Sequence, residues 1–79
     1  MNEKIVIDGQ YQHYRNKQIY KVIGFCRHSE TYEDMVIYQA LYKCEKFGVD
    51  QVWVRPKAMF LEEVVHEGKT LPRFERVSV

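Results

Sequence analysis

The stretch Gln18-Ile19-Tyr20-Lys21-Val22-Ile23-Gly24-Phe25-Cys26-Arg27 decides the fold class of this chain. Its apolar residues are mostly β-branched or aromatic, and such side chains are enriched in strands. Gly24 interrupts them in the middle, and a glycine inside a strand indicates a bulge or a sharp bend. The stretch therefore predicts one long strand that bends near Gly24.

Two further strands are predicted on either side of this long strand. Tyr11–Arg15 is a short candidate, and Asn16 and Lys17 form a turn after it. The polar stretch 28–34 is too long for a two-residue hairpin turn, and Met35–Tyr42 follows it as the next strand. Apolar residues occupy both faces of Met35–Tyr42, which predicts that another segment covers one of these faces.

The C-terminal part of the chain contains shorter predicted elements. Val52–Arg55 is a short strand that stops at Pro56, which lacks the N–H needed to continue a ladder of hydrogen bonds. The apolar spacing over residues 59–65 favours a short helical turn that runs into a strand. Residues 66–69 are predicted to form a hairpin tip, and Thr70–Val77 an edge strand.

Together these elements predict one domain of mainly β structure. Five or six short strands in 79 residues are typical of a small, strongly bent antiparallel sheet or an SH3-like barrel, with at most one short helical turn. An open sheet of four or five strands with one short helix is the alternative. A chain of this length has room for one core. We expect that core to include Val22, Ile23, Val36, Tyr38 and Val54.

The composition indicates a folded protein without a strong charge. Hydrophobic residues make up 46% of the chain, and twelve basic residues oppose eleven acidic ones, for a net charge of +1. So small a charge gives no long-range attraction for polyanions or for an acidic membrane surface. No apolar run is long enough for a membrane span. Cys26 and Cys44 are too few for a disulfide framework, so we expect free thiols and a cytoplasmic location.

The motifs do not favour catalytic or cofactor chemistry. His28, Ser29 and Glu30 have the side chains of a hydrolytic triad, but consecutive residues rarely converge as a triad requires. A small hydrolase-like enzyme is therefore only the third functional hypothesis. The chain lacks the paired, closely spaced ligands of a structural zinc site, and its glycines are not grouped into a phosphate-binding loop. We predict no catalytic residue, no metal and no cofactor.

The variety of polar side chains in residues 27–31 and the aromatic content of the chain indicate a binding site instead. The stretch 27–31 combines a cation, an imidazole, two hydroxyls and a carboxylate, groups that can orient a ligand. Arg55 offers a planar fork of donors for a carboxylate or phosphate, and Trp53 lies two residues away on the same strand face. Tyrosines supply an aromatic groove. The candidate binding residues are Arg27, His28, Ser29, Glu30, Thr31, Tyr38, Trp53 and Arg55.

The leading functional hypothesis is a non-enzymatic binding module. It would recognise a protein segment or a small ligand through the loop 27–31 and an aromatic and arginine rim, as SH3-like barrels hold extended peptides. The alternative is a domain that binds single-stranded nucleic acid, because aromatic faces stack bases and cations follow phosphates. In the structural interpretation of Arg55, its side chain forms an internal ion pair with Glu30 or another carboxylate and holds the loop in place. Both interpretations of Arg55 place it close to Arg27, His28 and Glu30.

Several stretches of the chain together resemble a known family. The more specific strings are Arg27-His28-Ser29-Glu30-Thr31 and Trp53-Val54-Arg55-Pro56, within the longer stretches Tyr11–Arg15, Tyr20–Thr31, Trp53–Phe60, Val36–Tyr42 and Leu71–Phe74. They resemble the bacterial family called domain of unknown function 1653. The resemblance spans Tyr11 to Phe74 and leaves residues 1–10 as an N-terminal extension or an extra strand. It implies a small bacterial protein, and the family has no established substrate or cofactor to carry over.

Overall fold

The computed structural model describes residues 5–77. This part of the chain holds seven strands and one helix of a single turn, which confirms the prediction of mainly β structure. The predicted N-terminal extension or extra strand, residues 1–10, lies partly outside the described residues. The strands are β1 (Gln10–His13), β2 (Ile19–Arg27), β3 (Asp34–Ala40), β4 (Val52–Pro56), β5 (Glu63–His66), β6 (Lys69–Pro72) and β7 (Phe74–Val77), and the helix α1 is Lys57–Phe60.

Five of the strands form one antiparallel sheet in the order β4-β3-β2-β1-β7. The other two, β5 and β6, form a separate antiparallel pair. β4 and β7 are thus the two edges of the larger sheet. Within residues 5–77 this sheet stays open and does not close into a barrel. The structure therefore matches the open form of the predicted fold, a sheet with one short helix.

The long strand β2 contains the predicted irregularity. Val22 pairs with Tyr38 and Gly24 pairs with Ile37, so Ile23 between them has no partner of its own on β3. Such a bulge sets two residues of one strand against one residue of the next and increases the local twist. The irregularity predicted near Gly24 is confirmed.

The hairpin that joins β5 and β6 turns at Glu67 and Gly68. Both residues have a positive φ, 53° and 78° respectively, as the two central positions of a type I′ turn require. Glycine adopts this conformation without a steric penalty. His66 and Lys69 pair on either side of the turn, so the predicted hairpin tip at residues 66–69 is confirmed.

The predicted edge strand Thr70–Val77 is wrong as a single element, because it divides at Arg73 into β6 and β7. The main-chain N–H of Arg73 donates to the carbonyl of Glu62 at 2.9 Å, and the carbonyl of Arg73 accepts from the N–H of Tyr14 at 3.0 Å. An ion pair of 2.7 Å between the side chains of Arg73 and Glu62 strengthens the junction. These contacts lead the chain from the small sheet to the large one, where β7 pairs with β1.

The core lies on one face of the large sheet, the inner face, which carries Val22, Val36 and Tyr38. All three are buried, so these predicted core positions are confirmed. α1 covers this face through Phe60, whose ring stacks on that of Phe74 with centroids 4.2 Å apart. The buried cluster is Ile5, Tyr11, Tyr20, Val22, Val36, Tyr38, Ala40, Phe60 and Phe74.

The opposite face of the sheet, the outer face, is partly open to solvent, and two predicted core residues are therefore wrong. Val54 pairs with Ile37 on this face and is 53% exposed. Ile23, in the bulge, is 38% exposed. Met35 at the start of β3 is buried, so the open area lies toward Val52. Both faces of β3 are apolar, as the sequence indicates, but only the inner face receives a substantial cover.

The two cysteines lie on different elements, Cys26 in β2 and Cys44 in the loop between β3 and β4. Cys26 is exposed, Cys44 is half-buried, and both are free, in agreement with the prediction. No helix within residues 5–77 has the length and apolar composition needed to cross a membrane.

Candidate ligand-binding cavity

A cavity of about 240 Å³ opens at the inner face of the large sheet. Every strand of that sheet contributes to the lining, and the turn after β1 adds one amide. The lining is mostly aromatic, and it includes no aspartate or glutamate of residues 5–77. The residues that line the cavity are His13, Asn16, Tyr20, Tyr38, Trp53, Arg55 and Phe74.

Strand pairing explains why these side chains meet. Directly opposed residues of antiparallel strands project from the same face of a sheet. Trp53 is opposed to Tyr38, and His13 is opposed to Phe74. Arg55 lies two residues after Trp53 and therefore projects to the same face. The cavity thus brings together three of the predicted binding residues, Tyr38, Trp53 and Arg55.

The Arg55 side chain is held in the cavity by two neighbours. Its Nε donates to the hydroxyl of Tyr38 at 3.2 Å, and its guanidinium carbon lies 5.5 Å from the ring centroid of Phe74, a cation–π distance. No carboxylate of residues 5–77 forms an ion pair with Arg55, and its terminal Nη atoms donate to none of these residues. The internal pair with Glu30 is therefore not formed in the described structure.

His13 adds an uncharged donor near Arg55. Its Nδ1 accepts the main-chain N–H of Arg15 at 3.1 Å, so the neutral ring carries its proton on Nε2. Burial, followed by the positive charges of Arg55, Arg73 and Arg15, lowers the pKa of His13 below its usual value. At neutral pH the ring is therefore uncharged, and Nε2–H remains as a donor.

A chain of hydrogen bonds fixes one wall of the cavity. Nδ2 of Asn16 donates to the hydroxyl of Tyr20 at 3.1 Å, and Oδ1 of Asn16 accepts from the N–H of Gln18 at 2.8 Å. The hydroxyls of Tyr20 and Tyr42 are 2.7 Å apart. Burial, together with this hydrogen bond, raises the pKa of Tyr42 to about 12. These bonds fix the Asn16 amide and the Tyr20 hydroxyl in the wall, and the phenol of Tyr42, which lies outside the lining, stays uncharged at physiological pH.

Aromatic side chains also form the rim of the cavity. Trp53 is 37% exposed, and the ring of Phe47 lies edge-on to it with centroids 5.5 Å apart. Two main-chain hydrogen bonds between Cys44 and Gly48, of 2.8 and 2.7 Å, close the tight loop that carries Phe47. A planar group at the mouth of the cavity would meet flat apolar surfaces, which suit ring contacts.

Arg27, the first predicted binding residue along the chain, closes the base of the loop between β2 and β3. Its Nη1 donates to the carbonyl of Tyr32 at 2.8 Å, and its Nη2 lies 3.3 Å from the carboxylate of Asp34. Tyr32 has a positive φ of 63°, and the hydrogen bond from Arg27 stabilises that turn. The guanidinium of Arg27 is thus engaged inside its own loop.

His28 organises the tip of the same loop. Its Nδ1 accepts from the main-chain N–H groups of Glu30 and Thr31 at 3.1 and 3.3 Å. Ser29, Glu30 and Thr31 are exposed. None of the residues from 27 to 31 lines the cavity that holds Arg55. The structure therefore places the predicted binding residues in two groups, one in this loop and one in the cavity.

Four residues of the cavity are absent from the sequence-based prediction: His13, Asn16, Tyr20 and Phe74. Tyr20 could have been found from alternation, because it lies two residues before Val22 on the inner face of β2. His13 and Phe74 become neighbours only through the pairing of β1 with β7, a contact between distant parts of the chain. No local pattern indicates that contact.

A second cavity, of about 230 Å³, lies between α1 and β7. Glu63, Glu75 and Arg76 line it together with apolar side chains, so both signs of charge are present there. Within residues 5–77, no group of three or more His, Cys, Asp or Glu side chains is placed to hold a metal ion. The cavity around Arg55 is the stronger candidate for a ligand, because its lining carries only one sign of charge.

Comparisons with known proteins identify relatives of unknown function. A family model described as a protein of unknown function (DUF1653) matches residues 9–76. No curated protein matches the chain. Among solved structures, the chain is similar to the crystal structure of a protein belonging to DUF1653 from Bordetella bronchiseptica, with a TM-score of 0.77 and 30% sequence identity. That match covers 91% of this chain and 87% of the other.

Proposed function

The chain belongs to the DUF1653 family, and on this premise we propose that it is a binding module for a compact organic anion. The observation that carries the proposal is the guanidinium of Arg55, which faces the cavity without a carboxylate partner in residues 5–77. A half-buried charge has lost part of its hydration, and an anionic ligand replaces what was lost.

Arg55 recognises the anionic group of the proposed ligand. The hydroxyl of Tyr38 occupies Nε, so the two Nη atoms remain for the ligand. A guanidinium presents these atoms as a planar fork, which donates two parallel hydrogen bonds to a carboxylate or a phosphate. The uncharged Nε2–H of His13 is a further donor on the same lining.

The aromatic rings recognise the apolar body of the ligand. Trp53, Tyr38 and Phe74 supply ring surfaces around Arg55. The cavity volume of about 240 Å³ is smaller than the roughly 300 to 1,000 Å³ of sites that enclose drug-sized ligands. The ligand is therefore compact, with a single ring or an aliphatic group of similar size next to its anionic group.

A free small molecule and the end of a protein segment share this chemistry. The C-terminal residue of a peptide carries a carboxylate beside a side chain, as a simple carboxylic acid carries one beside a ring. The loop residues Ser29, Glu30 and Thr31 lie outside the cavity, so they would contact only a ligand that extends beyond it.

Chemical-shift perturbation of the isotope-labelled protein tests the proposal. The probes are benzoate and phenyl phosphate, with benzamide as the uncharged probe of the same shape. We expect the two anions to shift the main-chain signals of Trp53 and Arg55, and benzamide to leave them unchanged. A peptide that ends in phenylalanine, compared with the same peptide amidated at its C-terminus, distinguishes a protein segment from a free acid.

Arg55→Gln is the decisive variant. We expect the Kd for benzoate to rise about tenfold or more, because hydrogen bonds to charged groups contribute roughly 1.5–3 kcal/mol. The matched control is Arg27→Gln, which removes an arginine from the loop and should leave binding unchanged. A folded Arg55→Gln protein that binds benzoate as tightly as the wild type contradicts the proposal. A variant that is less stable than the wild type but, when folded, binds benzoate with unchanged affinity supports the structural interpretation of Arg55.

Single-stranded nucleic acid, the alternative ligand, requires contacts with several phosphates, whereas the cavity presents one arginine. Heparin chromatography separates the two hypotheses. We expect elution at low salt, in line with the net charge of +1. Strong retention that weakens steeply with salt would favour nucleic acid over a compact anion.

A further inference from the structure

We propose that the outer edge of β4 pairs with β4 of a second copy of the chain, in antiparallel orientation about Trp53, to form a symmetric dimer. β4 ends the order β4-β3-β2-β1-β7, and no strand of residues 5–77 pairs with its outer side. An unpaired edge strand is a template for pairing with another chain.

The hydrogen bonds of β4 show which of its main-chain groups point outward. The N–H of Ala40 donates to the carbonyl of Gln51 at 2.8 Å, so alternate residues from Gln51 onward form the hydrogen-bonded pairs with β3. The N–H and C=O groups of Val52 and Val54 therefore point away from β3. Pro56 fits this alternation of inward and outward groups. At its position the main-chain N–H, which proline lacks, would also point away from β3.

The two edges of the large sheet differ in charge. β7 carries Glu75 and Arg76, and charged side chains protect an edge strand from pairing with another chain. β4 has its charged residue and its proline, Arg55 and Pro56, at its C-terminal end, and Val52–Val54 carries neither. The stretch Val52–Val54 is therefore the unprotected part of these two edges.

Exposed apolar side chains are concentrated in β4 and in the loop that precedes it in the chain. Twelve large hydrophobic side chains are exposed in residues 5–77, and six of them lie between residues 41 and 54. Exposed apolar side chains that lie together are typical of an interaction surface. Val52, Trp53 and Val54 belong to this edge, and the ring of Phe47 contacts that of Trp53. The six are Leu41, Phe47, Val49, Val52, Trp53 and Val54.

A two-fold axis at Trp53 fits the outward-pointing groups. It opposes Val52 to the partner's Val54, and each such pair exchanges two main-chain hydrogen bonds. On the outer face, these valines extend the contact between Ile37 and Val54. On the inner face, the two Trp53 side chains meet at the axis. Because Trp53 also lines the cavity, the dimer places the rims of two cavities side by side.

The charges at the two ends of β4 are complementary in this arrangement. Asp50 precedes the strand, whereas Lys57 follows it. Antiparallel pairing brings the acidic end of one copy to the basic end of the other. A parallel pairing would bring like charges together at both ends. The charge pattern thus argues for a second copy of this chain as the partner.

The proposed interface is small. Pairing through one short strand buries less than the roughly 800 Å² per partner that is typical of stable interfaces, even with Phe47 and Val49 at its margin. We therefore expect a dimer that forms at the protein concentrations used for NMR and dissociates on dilution.

Analytical ultracentrifugation over a wide range of protein concentration tests the dimer. We expect the mass to rise from the monomer value of 9.5 kDa toward twice that value. Val54→Lys places like charges near the axis and should abolish the rise. Val65→Lys makes the same change on β5, at a residue that is 75% exposed, and should leave the rise intact. A monomer at every concentration, or equal effects of the two variants, overturns the proposal.

Cysteine cross-linking tests the register, in a background with Cys26→Ser and Cys44→Ser. Trp53→Cys places two thiols at directly opposed positions, so oxidation should give a disulfide-linked dimer. Val52→Cys opposes the partner's Val54 and should cross-link much more slowly. Circular dichroism verifies that each variant folds. Equal rates, or faster cross-linking at position 52, overturn the pairing about Trp53.

Discussion

The inner and outer faces of the large sheet come from the same strands but have opposite environments. On β4, Trp53 and Arg55 face the cavity, while Val54 between them is largely exposed. The aliphatic residue is thus the more exposed one, and the arginine is half-buried. The comparison shows that burial of a strand residue depends on what covers its face, and not on its own hydropathy alone.

The cover of the inner face comes from α1, which follows β4 in the chain. Phe60 in α1 lies edge-on to Tyr11 and Tyr38, with ring centroids 5.4 and 5.6 Å apart, and it stacks on Phe74 in β7. Such ring contacts stabilise a cluster beyond the area they bury. On the outer face, Val54 has no comparable cover among residues 5–77.

The largest expected effect comes from removing this cover. Phe60→Ala should lower the free energy of unfolding by about 3–5 kcal/mol, the range for truncation of buried phenylalanine, because Phe60 is 2% exposed. Urea unfolding followed by circular dichroism measures the change, and failure to fold is the extreme form of the same result. A loss of less than about 1 kcal/mol, as surface substitutions give, would mean that Phe60 does not hold the inner face together.

Truncation of one valine on each face compares the two faces directly, and the expected losses in free energy of unfolding are smaller. Val36→Ala, on the inner face, should lower the free energy of unfolding by roughly 1–3 kcal/mol, because Val36 is fully buried. Val54→Ala removes the same atoms from the outer face and should cost about 0.5 kcal/mol or less. Both unfolding curves are measured at low protein concentration, so that pairing between copies does not contribute. Equal losses would show that the outer face is covered as well.

The smallest expected change in the free energy of unfolding comes from the titration of His13 on the inner face. Because folding lowers the pKa of His13, the unfolded chain binds the proton at a higher pH than the folded chain. The contribution of His13 to stability is complete above its ordinary pKa of about 6.5. It is lost as the pH falls from there through the lowered pKa of the folded state.

Unfolding free energies measured over this pH range for the wild type and for His13→Gln isolate that contribution. The variant should lose less stability on acidification than the wild type. A wild-type protein that gains stability relative to His13→Gln as the pH falls would reverse the sign and place His13 in an environment that favours its charge.

Local sequence patterns were sufficient for most of the strands. Gly24 marks the bulge in β2, Pro56 lies at the end of β4, and Gly68 permits the turn between β5 and β6. The division of Thr70–Val77 at Arg73 could not be read in the same way. It depends on hydrogen bonds to residues far away in the chain, and a strand-like composition does not show which sheet each half will join.

The candidate site was predictable only in part, for a related reason. Alternation along β4 indicates that Trp53 and Arg55 share a face, but the other walls depend on the order of strands in the folded sheet. The chemical variety of residues 27–31 has a local explanation, since Arg27 and His28 hydrogen-bond to the main chain of their own loop. Such local bonds are common for polar loop residues, and composition alone does not distinguish them from free ligand-binding groups.

The unpaired residue Ile23 gives β2 a tolerance to changes in length that the other strands lack. Elsewhere in a strand, deletion of one residue moves every following side chain to the opposite face. Deletion of Ile23 instead restores a regular ladder, because Gly24 would follow Val22 while both keep their partners on β3. Relatives can therefore lose this residue during divergence without exchanging the buried and exposed sides of the sheet, whereas a deletion elsewhere in the strand would turn the core outward.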